Sequence, residues 1–147
     1  MNTTVAELPM TEQVKHHVLA MPMARTLGLS FTRLAPGEVE IEVPISDAFC
    51  FRPGQLQATA VFAAADFAAV AAAGTLLKPG WANATVDATL KLVAPARGRC
   101  LRARGRVVHA ASLLTVCAAE VYAVDGEQET LCATLLGTAR NLNLTAA

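Results

Sequence analysis

The residue of this sequence best suited to direct chemistry is Asp66, which lies inside the alanine-rich apolar stretch VFAAADFAAVAAAG, residues 61–74. A carboxylate is costly to bury unless it is hydrogen-bonded or performs a function. The helix positions three and four residues away offer no polar partner: Phe62, Ala63, Ala69 and Val70. Asp66 is therefore a candidate general base or nucleophile. The alternative is a buried structural acid that accepts a hydrogen bond from a loop N–H or from Thr59.

Five arginines form a second group that could do chemistry. Arg102, Arg104 and Arg106 alternate and so share one face of a strand, while Arg97 and Arg99 flank the preceding turn. This pattern has two interpretations. It is either a solvated outer face or a local cationic patch for phosphate groups, which arginine binds through two parallel hydrogen bonds.

Several other chemistries are disfavoured by the sequence. It contains no Gly-x-Ser-x-Gly elbow, P-loop or dinucleotide-binding glycine pattern, which argues against the familiar serine hydrolases and against nucleotide binding. His16 and His17 point apart on a helix and His109 stands alone, so we expect no metal site. The four cysteines lack the short spacing of zinc ligands, and we interpret them as reduced core thiols.

Length and composition predict one globular domain that has more apolar area than its own core can bury. The chain has 147 residues, of which 54% are hydrophobic and only 5% aromatic, and its mean hydropathy is +0.41. An excess of apolar area on a small domain favours oligomerisation. Twelve basic and twelve acidic residues cancel, so no overall field favours nucleic acid as a partner.

The N-terminal residues do not resemble a secretion signal, because no charged start is followed by an apolar run and a small-residue cleavage site. A cytoplasmic location is the resulting expectation. The only candidate for a membrane span is residues 56–77, which is mostly alanine and would place Asp66 near the bilayer centre. We therefore expect no membrane as a partner.

Proline and glycine divide the chain into strand-like and helix-like runs. Residues 29–34 and 38–45 predict two strands joined by the Pro36-Gly37 turn. Residues 57–73 predict a helix, because alanine is the best helix former and the run is too long for a strand. Alternating patterns predict four more strands and the sequence Asp125-Gly126 predicts a hairpin; with a short N-terminal helix, the remaining elements are residues 12–20, 83–93, 100–110, 113–124 and 131–142.

This order of elements indicates the architecture. Four consecutive strands without helical crossovers must pair antiparallel, since parallel pairs need a long connection. A helix that is apolar on all sides must be covered on all sides. We therefore predict an α+β fold in which a curved antiparallel sheet of about six strands wraps around one long central helix, with a second subunit covering what the first leaves open.

The segments MPMARTLGLSFTRLAPGEVEIEVPI and TVDATLKLVAPARGRCLRARGRVV carry a family resemblance. Together with the order of elements, they resemble the hotdog-fold acyl-CoA thioesterases, in particular the phenylacetate-pathway-type thioesterases and their uncharacterised relatives. The similarity extends over residues 22–142. It implies a single hotdog domain over residues 1–147, in which residues 1–24 form an N-terminal helical segment.

The active-site motif of that family has an amide residue in a loop, then His-Gly-Gly or His-Ala-Gly, and an acid nine residues after the histidine. The stretch FRPGQLQATAVFAAAD, residues 51–66, aligns with this motif. Asp66 matches the acid, Gln57 the histidine, Ala58 the first glycine and Thr59 the second. The resemblance thus implies that Asp66, Gln57 and Ala58 are the catalytic residues.

The same alignment implies the residues that contact substrate. Phe51 or Arg52 stands where the loop amide would be, and Val70 lies one turn past the acid, where some members carry a hydroxyl. The candidate substrate-binding residues are Phe51, Arg52, Gly54, Thr59, Val70, Arg97 and Arg99. No cofactor is implied beyond coenzyme A as part of the substrate.

Thioester hydrolysis needs a carboxylate to attack the carbonyl or activate water, and N–H donors for the developing oxyanion. Asp66 would supply the carboxylate, and the N–H of Ala58 in the first helical turn would supply a donor. Nine residues of helix separate Gln57 from Asp66, which is about 13 to 14 Å. One small thioester cannot touch both, so the site would combine Asp66 of one subunit with the helix end of its two-fold mate in a homodimer, which could pair further into a tetramer.

Two other functions fit the same fold. Because the motif's histidine and loop amide are replaced, the protein could be a non-catalytic module that binds acyl-CoA or another small ligand. A lyase, such as an enoyl-thioester hydratase or dehydratase, is the third reading. Those enzymes usually pair an acid with a histidine on or near the helix, and no histidine lies between His17 and His109.

Overall fold

A computed structural model describes residues 2–146, so residues 1 and 147, the two ends of the predicted domain, lie outside it. Three helices and eight strands follow one another along this part of the chain, with two short 3-10 turns at Val5–Glu7 and Asp47–Phe49. In chain order they are α1 (Met10–Ala20), α2 (Pro22–Leu27), β1 (Ser30–Ala35), β2 (Glu38–Pro44), β3 (Cys50–Arg52), β4 (Gln55–Leu56), α3 (Ala58–Gly74), β5 (Trp81–Leu92), β6 (Cys100–Ala110), β7 (Leu114–Asp125) and β8 (Gln128–Asn143).

Six of the strands form one antiparallel sheet in the order β1-β2-β6-β7-β8-β5. The sheet curves around α3, which confirms the predicted α+β hotdog architecture. The helix order differs in one respect from the sequence-based expectation. A second short helix, α2, follows α1, because Pro22 is favourable in a first helical turn and Gly28, at φ 70°, ends the helix. The small hairpin β3–β4 was not expected from the sequence pattern and leads directly into α3.

The central helix lies close to the sheet because its contact residues are small. Ala64, Ala65, Ala68, Ala69 and the other alanines of its buried faces have almost no exposed surface. On β6 the facing residue is a glycine, Gly105, and a Cβ added there would meet the backbone carbonyl of Ala68 and lie 2.8 Å from the amide nitrogen of Ala69. Helix backbone and strand backbone are therefore in direct contact at this point.

The outer face of the sheet carries an ion-pair network. It decides between the two interpretations of the alternating arginines on β6. Arg102 donates to Glu42 at 2.7 Å and to Glu129 at 2.5 Å. Arg104 donates to Glu40 at 2.8 Å and to the same Glu129 oxygen at 2.7 Å. The hydrogen bonds from Arg104 and Arg102 hold the pKa of Glu129 below its usual value. These arginines are already neutralised by carboxylates, so they form a polar outer face rather than a free phosphate site.

We predict that Gly105→Ala strongly destabilises the protein, because the added methyl group overlaps the α3 backbone and a backbone cannot rotate away. Overpacking of this kind costs about 1–3 kcal/mol, and this site should lie at or above the upper end. Denaturant unfolding would measure the free energy of unfolding. Gly74→Ala is the matched control: its new methyl group would lie 3.2 Å from a Val14 side-chain carbon that can shift. Equal stability of the two variants would contradict the proposed close contact.

Candidate active site

The start of α3 is held in place by a loop that is tied to the β5–β6 turn. The N–H of Gln57 donates to Phe49 O at 2.9 Å, and the N–H of Leu56 donates to Ala96 O at 3.1 Å. Gly54, at φ 74°, makes the tight turn between β3 and β4. These bonds bring the predicted loop residues and the β5–β6 turn to the same end of the helix.

Two backbone donors are free at this helix end. Ala60 and Val61 donate to Gln57 O, but in residues 2–146 no acceptor is bonded to the N–H of Ala58 or Thr59. Gln57 is the N-terminal cap in extended conformation, and its side chain makes no capping hydrogen bond. Unpaired N–H groups and the helix dipole favour negative charge at such a position. This end of α3 can therefore stabilise an oxyanion.

A cavity of about 160 Å³ opens beside these donors. It is mainly apolar, its polar lining residues are Gln57 and two threonines, and α2 forms one of its walls. Its lining residues are Met23, Thr26, Leu27, Ala48, Phe49, Gln57, Thr59 and Ala60. A larger groove of about 350 Å³ lies against the N-terminal helices and contains none of the predicted site residues.

Asp66 lies in the middle of α3, half-buried, and faces the edge strand β5. The hydroxyl of Thr85 donates to Asp66 Oδ1 at 2.9 Å. Burial raises the pKa of the Asp66 carboxyl above its ordinary value of 3.8, and the hydrogen bond from Thr85 offsets part of the rise. The carboxyl has one anchored oxygen and a proton affinity above that of an exposed aspartate, which are properties of a general base.

The predicted site residues thus fall into two groups on one helix. Gln57, Ala58 and Thr59 lie at its exposed start, whereas Asp66 and Val70 lie farther along the helix beside β5, where Asn83 donates to Val70 O at 3.0 Å. Because α3 is continuous from Ala58 to Gly74, the two groups are separated by about 13 to 14 Å of helix. A single chain does not bring them together.

The remaining predicted residues surround the loop. Phe51 and Arg52 are exposed on β3, and the guanidinium of Arg52 lies 5.5 Å from the centre of the Phe51 ring. Arg97 and Arg99 are exposed in the β5–β6 turn. Arg97 forms an isolated β-bridge with Gln55, so this turn is in contact with the loop.

Metal and thiol chemistry have no support in the described part of the chain. Between residues 2 and 146, no three His, Cys, Asp or Glu side chains lie close enough to share a metal ion. The cysteines are free thiols. Cys117 is fully buried on β7, and burial, together with the charges of Asp66 and Asp87, raises the pKa of its thiol to about 11. That thiol remains protonated near neutral pH and is a poor nucleophile.

Sequence reasoning did not identify two polar partners in this region. Thr85 holds Asp66, and Gln55 contacts Arg97. No sequence signal marks which strand lies beside the helix at Asp66, because that depends on the sheet order. Gln55 could have been found from its position two residues before Gln57, but a lone glutamine in a loop is not a distinctive pattern.

Comparison with solved structures gives the family. No protein-family model and no curated protein sequence matches the chain. A thioesterase family protein from Silicibacter pomeroyi is 31% identical, with 90% of this chain and 97% of that chain aligned and a TM-score of 0.87. A thioesterase from Haemophilus influenzae is 17% identical over 99% and 95% of the two chains, with a TM-score of 0.80. The PaaI protein from the phenylacetic acid degradation operon of E. coli is 17% identical over 90% and 96%, with a TM-score of 0.77.

The first of these relatives combines a sequence identity above 30% with nearly complete coverage of both chains. The other two are too distant to show more than the fold. The chain therefore belongs to the hotdog-fold thioesterase superfamily, as the sequence resemblance indicated. None of the helices in residues 2–146 has the length and apolar character needed to cross a membrane.

The raised pKa of Asp66 predicts how stability depends on pH. Because the folded state holds this proton more tightly than the unfolded chain, the contribution of Asp66 to the free energy of unfolding falls as the pH rises from the ordinary carboxyl value of 3.8 to the folded-state pKa, and is constant above it. Asp66→Asn keeps an oxygen that accepts from Thr85 and removes the charge. In thermal unfolding we expect the variant's Tm to equal or exceed that of the wild type at pH 7, with a smaller difference at pH 4.

Asp87→Asn provides the control for loss of a negative charge, because Asp87 is exposed on β5. The Tm difference between the Asp87→Asn protein and the wild type should not show the pH dependence expected for Asp66→Asn. An Asp66→Asn protein that is less stable than wild type at pH 7, by a margin that widens with pH, would show that the charged carboxylate stabilises the fold. That result would contradict a raised pKa for Asp66.

Proposed function

We propose that the protein is a thioester hydrolase that acts on an acyl-CoA or acyl-carrier thioester, with Asp66 as general base or nucleophile. The observation that carries this proposal is the half-buried Asp66, whose pKa is raised, on the same helix as the unpaired N–H of Ala58. These two groups are the base and the oxyanion donor that the reaction requires. Membership of a thioesterase superfamily supports the same reaction class.

In the general-base form of the reaction, Asp66 accepts a proton from water while the water oxygen attacks the thioester carbonyl. The resulting oxyanion accepts a hydrogen bond from the N–H of Ala58. The tetrahedral intermediate then breaks its C–S bond, and the proton held by Asp66 passes to the departing thiolate. The products are a carboxylic acid and a free thiol. In the nucleophilic form, the Asp66 carboxylate attacks the carbonyl, the C–S bond breaks and the thiolate leaves to take up a proton. Water then hydrolyses the resulting anhydride, which releases the carboxylic acid and restores the Asp66 carboxylate.

Gln57 has a positioning role in this scheme, because its side-chain amide is free to bind the carbonyl or the water. The exposed loop, the helix start and the β5–β6 turn would contact the substrate from one subunit, and the neighbourhood of Val70 from the other. The proposed substrate contacts are Phe51, Arg52, Gly54, Thr59, Val70, Arg97 and Arg99.

The separation along α3 supports a dimeric site. The acid of one subunit must meet the helix start of another, and the fold provides an edge where this can occur. Strand β5 is a sheet edge twelve residues long, it carries the Thr85 partner of Asp66, and its Val86 side chain is exposed. Long open edges pair readily with another strand. A two-fold axis at this edge would place the two α3 helices side by side in opposite directions.

Asp66→Asn is expected to abolish thiol release from a panel of acyl-CoA substrates, because the amide cannot accept the proton. The loss should be about 10²- to 10⁴-fold, the usual contribution of a general base. Wild-type kcat/KM should rise with pH through the Asp66 pKa, which lies above 3.8. Size-exclusion chromatography should show an unchanged assembly. Equal turnover by the variant and the wild type would contradict the role of Asp66 as general base or nucleophile.

The shared site can be tested by mixing two inactive variants. Ala58 is the first residue of α3 and follows an extended Gln57, at ψ 146°, so Ala58→Pro removes only the N–H and suits the helix start. In a heterodimer of Ala58→Pro and Asp66→Asn subunits, one of the two sites has both groups intact. After subunit exchange, the mixture should recover about a quarter of wild-type turnover.

A mixture that exchanges subunits but stays inactive would contradict the shared site, and the exchange itself can be followed with differently tagged subunits.

The other two functions predict different results with the wild-type protein. A binding module would bind acyl-CoA in calorimetry without releasing thiol, and a hydratase would hydrate a crotonyl thioester. Cytoplasmic location and a tetramer remain predictions.

A further inference from the structure

Two arginines beside the proposed site share a neutral partner. Arg52 Nε and Arg97 Nε both donate to the same oxygen of Gln55, Oε1, at 3.0 and 3.1 Å. The two guanidinium groups must therefore lie next to each other, although both are positively charged. Like charges are held together at a cost, so an arrangement that brings them together is suited to a negative ligand.

The charge of this pair is not cancelled by the protein. Elsewhere in residues 2–146, guanidiniums at short distances from other side chains mostly face carboxylates, at Arg33, Arg102, Arg104 and Arg106. No carboxylate oxygen of the described residues lies within ion-pair distance of Arg52 or Arg97. Gln55 positions the two side chains as a glutamate would, but it adds no negative charge.

The fold fixes this arrangement from three sides. The isolated β-bridge between Gln55 and Arg97 joins the backbone of the loop to that of the β5–β6 turn. The ring of Phe51 lies 5.5 Å from the Arg52 guanidinium. Gly54 turns the chain at φ 74°, which a side-chain residue rarely adopts, so that Arg52 and Gln55 face each other across the hairpin. Part of the ordering cost of the site is thus met before a ligand binds.

The chemistry of the pair matches a phosphate group. Each guanidinium uses its Nε on Gln55 and keeps its terminal N–H groups free. Arginine binds phosphate oxygens through paired, charge-assisted hydrogen bonds. From Gln55 to Ala58 the chain spans at most about 11 Å. The pantetheine arm between a thioester and its phosphate is long and flexible enough to connect the two places.

We propose that Arg52 and Arg97, held together by Gln55, bind a phosphate of the carrier that presents the acyl thioester. This inference rests on the proposed thioesterase function and adds the part of the substrate that the loop recognises. Coenzyme A and the phosphopantetheine group of a carrier protein share this phosphate chemistry. Gln55 is a positioning residue in the site, since it orients the two arginines and does not itself contact the phosphate.

The test compares one acyl group on carriers with and without phosphate. For wild type and for Arg52→Gln/Arg97→Gln, kcat/KM is measured with the acyl-CoA, the acyl 4′-phosphopantetheine thioester and the acyl N-acetylcysteamine thioester, which has no phosphate. The ratio of acyl-CoA to N-acetylcysteamine kcat/KM should fall at least about tenfold in the double variant, through KM. Arg33→Gln, which removes an exposed arginine paired with Glu38, should leave that ratio at its wild-type value.

Gln55→Glu gives a second, independent readout because it retains both arginines. A carboxylate between them would cancel one of the two positive charges and compete with the phosphate for their N–H groups, so the same ratio should fall although no arginine is lost. In the wild type, KM for the acyl-CoA should rise with salt, and in both variants this dependence should weaken. An unchanged ratio in Gln55→Glu, or equal losses on all three substrates in the double variant, would overturn the phosphate assignment.

Two further measurements are needed. One distinguishes the two kinds of carrier, and the other tests the phosphate site independently of the proposed reaction. A fall that is the same for the CoA and the 4′-phosphopantetheine thioesters supports recognition of the phosphate that both carriers have; a fall only for CoA supports recognition of its additional phosphates. If the wild type hydrolyses no thioester, calorimetric titration with coenzyme A itself still tests the site. Binding that weakens about tenfold in the double variant supports it even when the hydrolase proposal fails, and binding that is equal in both proteins overturns it.

Discussion

The close approach of one helix to one sheet is the contact on which the rest of this structure depends. Alanines on α3 and Gly105 on β6 let backbone meet backbone, so the helix is enclosed without large side chains. Small residues leave little room for adjustment, and the helix is fixed in position along its axis. Groups attached to it are consequently held at defined places. Asp66, the charged residue of this helix, lies beside the edge strand β5, where the sheet ends.

Charge is used in two different ways on this protein. On the outer sheet face, glutamates balance Arg102 and Arg104, which gives a polar surface with little net field. At the loop, the glutamine at position 55 orders two arginines and leaves their charge intact. The two groups of arginines differ in one functional group of their partner, which is a carboxylate on the sheet face and an amide at the loop. A carboxylate cancels the arginine charge, whereas an amide leaves that charge available to a ligand.

Sequence alone was sufficient for the fold and for placing Asp66 within the central helix, and the reasons are physical. The long alanine run has only one stable form, a buried helix, and four alternating runs without crossovers allow only antiparallel pairing. An aspartate in the helix is conspicuous because its burial is costly. The arginine ladder was ambiguous, because a strand pattern shows which residues share a face but not which residues on neighbouring strands oppose them. Glu40 and Glu42 reach Arg104 and Arg102 only through the β2–β6 register. Thr85 and Gln55 depend in the same way on pairings between distant parts of the chain.

The buried cysteines have a practical consequence. Cys117 and Cys132 have no exposed surface, and burial raises the pKa of both thiols to about 11. Disulfide reagents attack thiolates that solvent can reach, so the native protein presents mainly the half-buried Cys50 to them. Cys117 and Cys132 lie on the interior strands β7 and β8. The rate at which their thiols become reactive therefore reports how often the sheet opens around its helix.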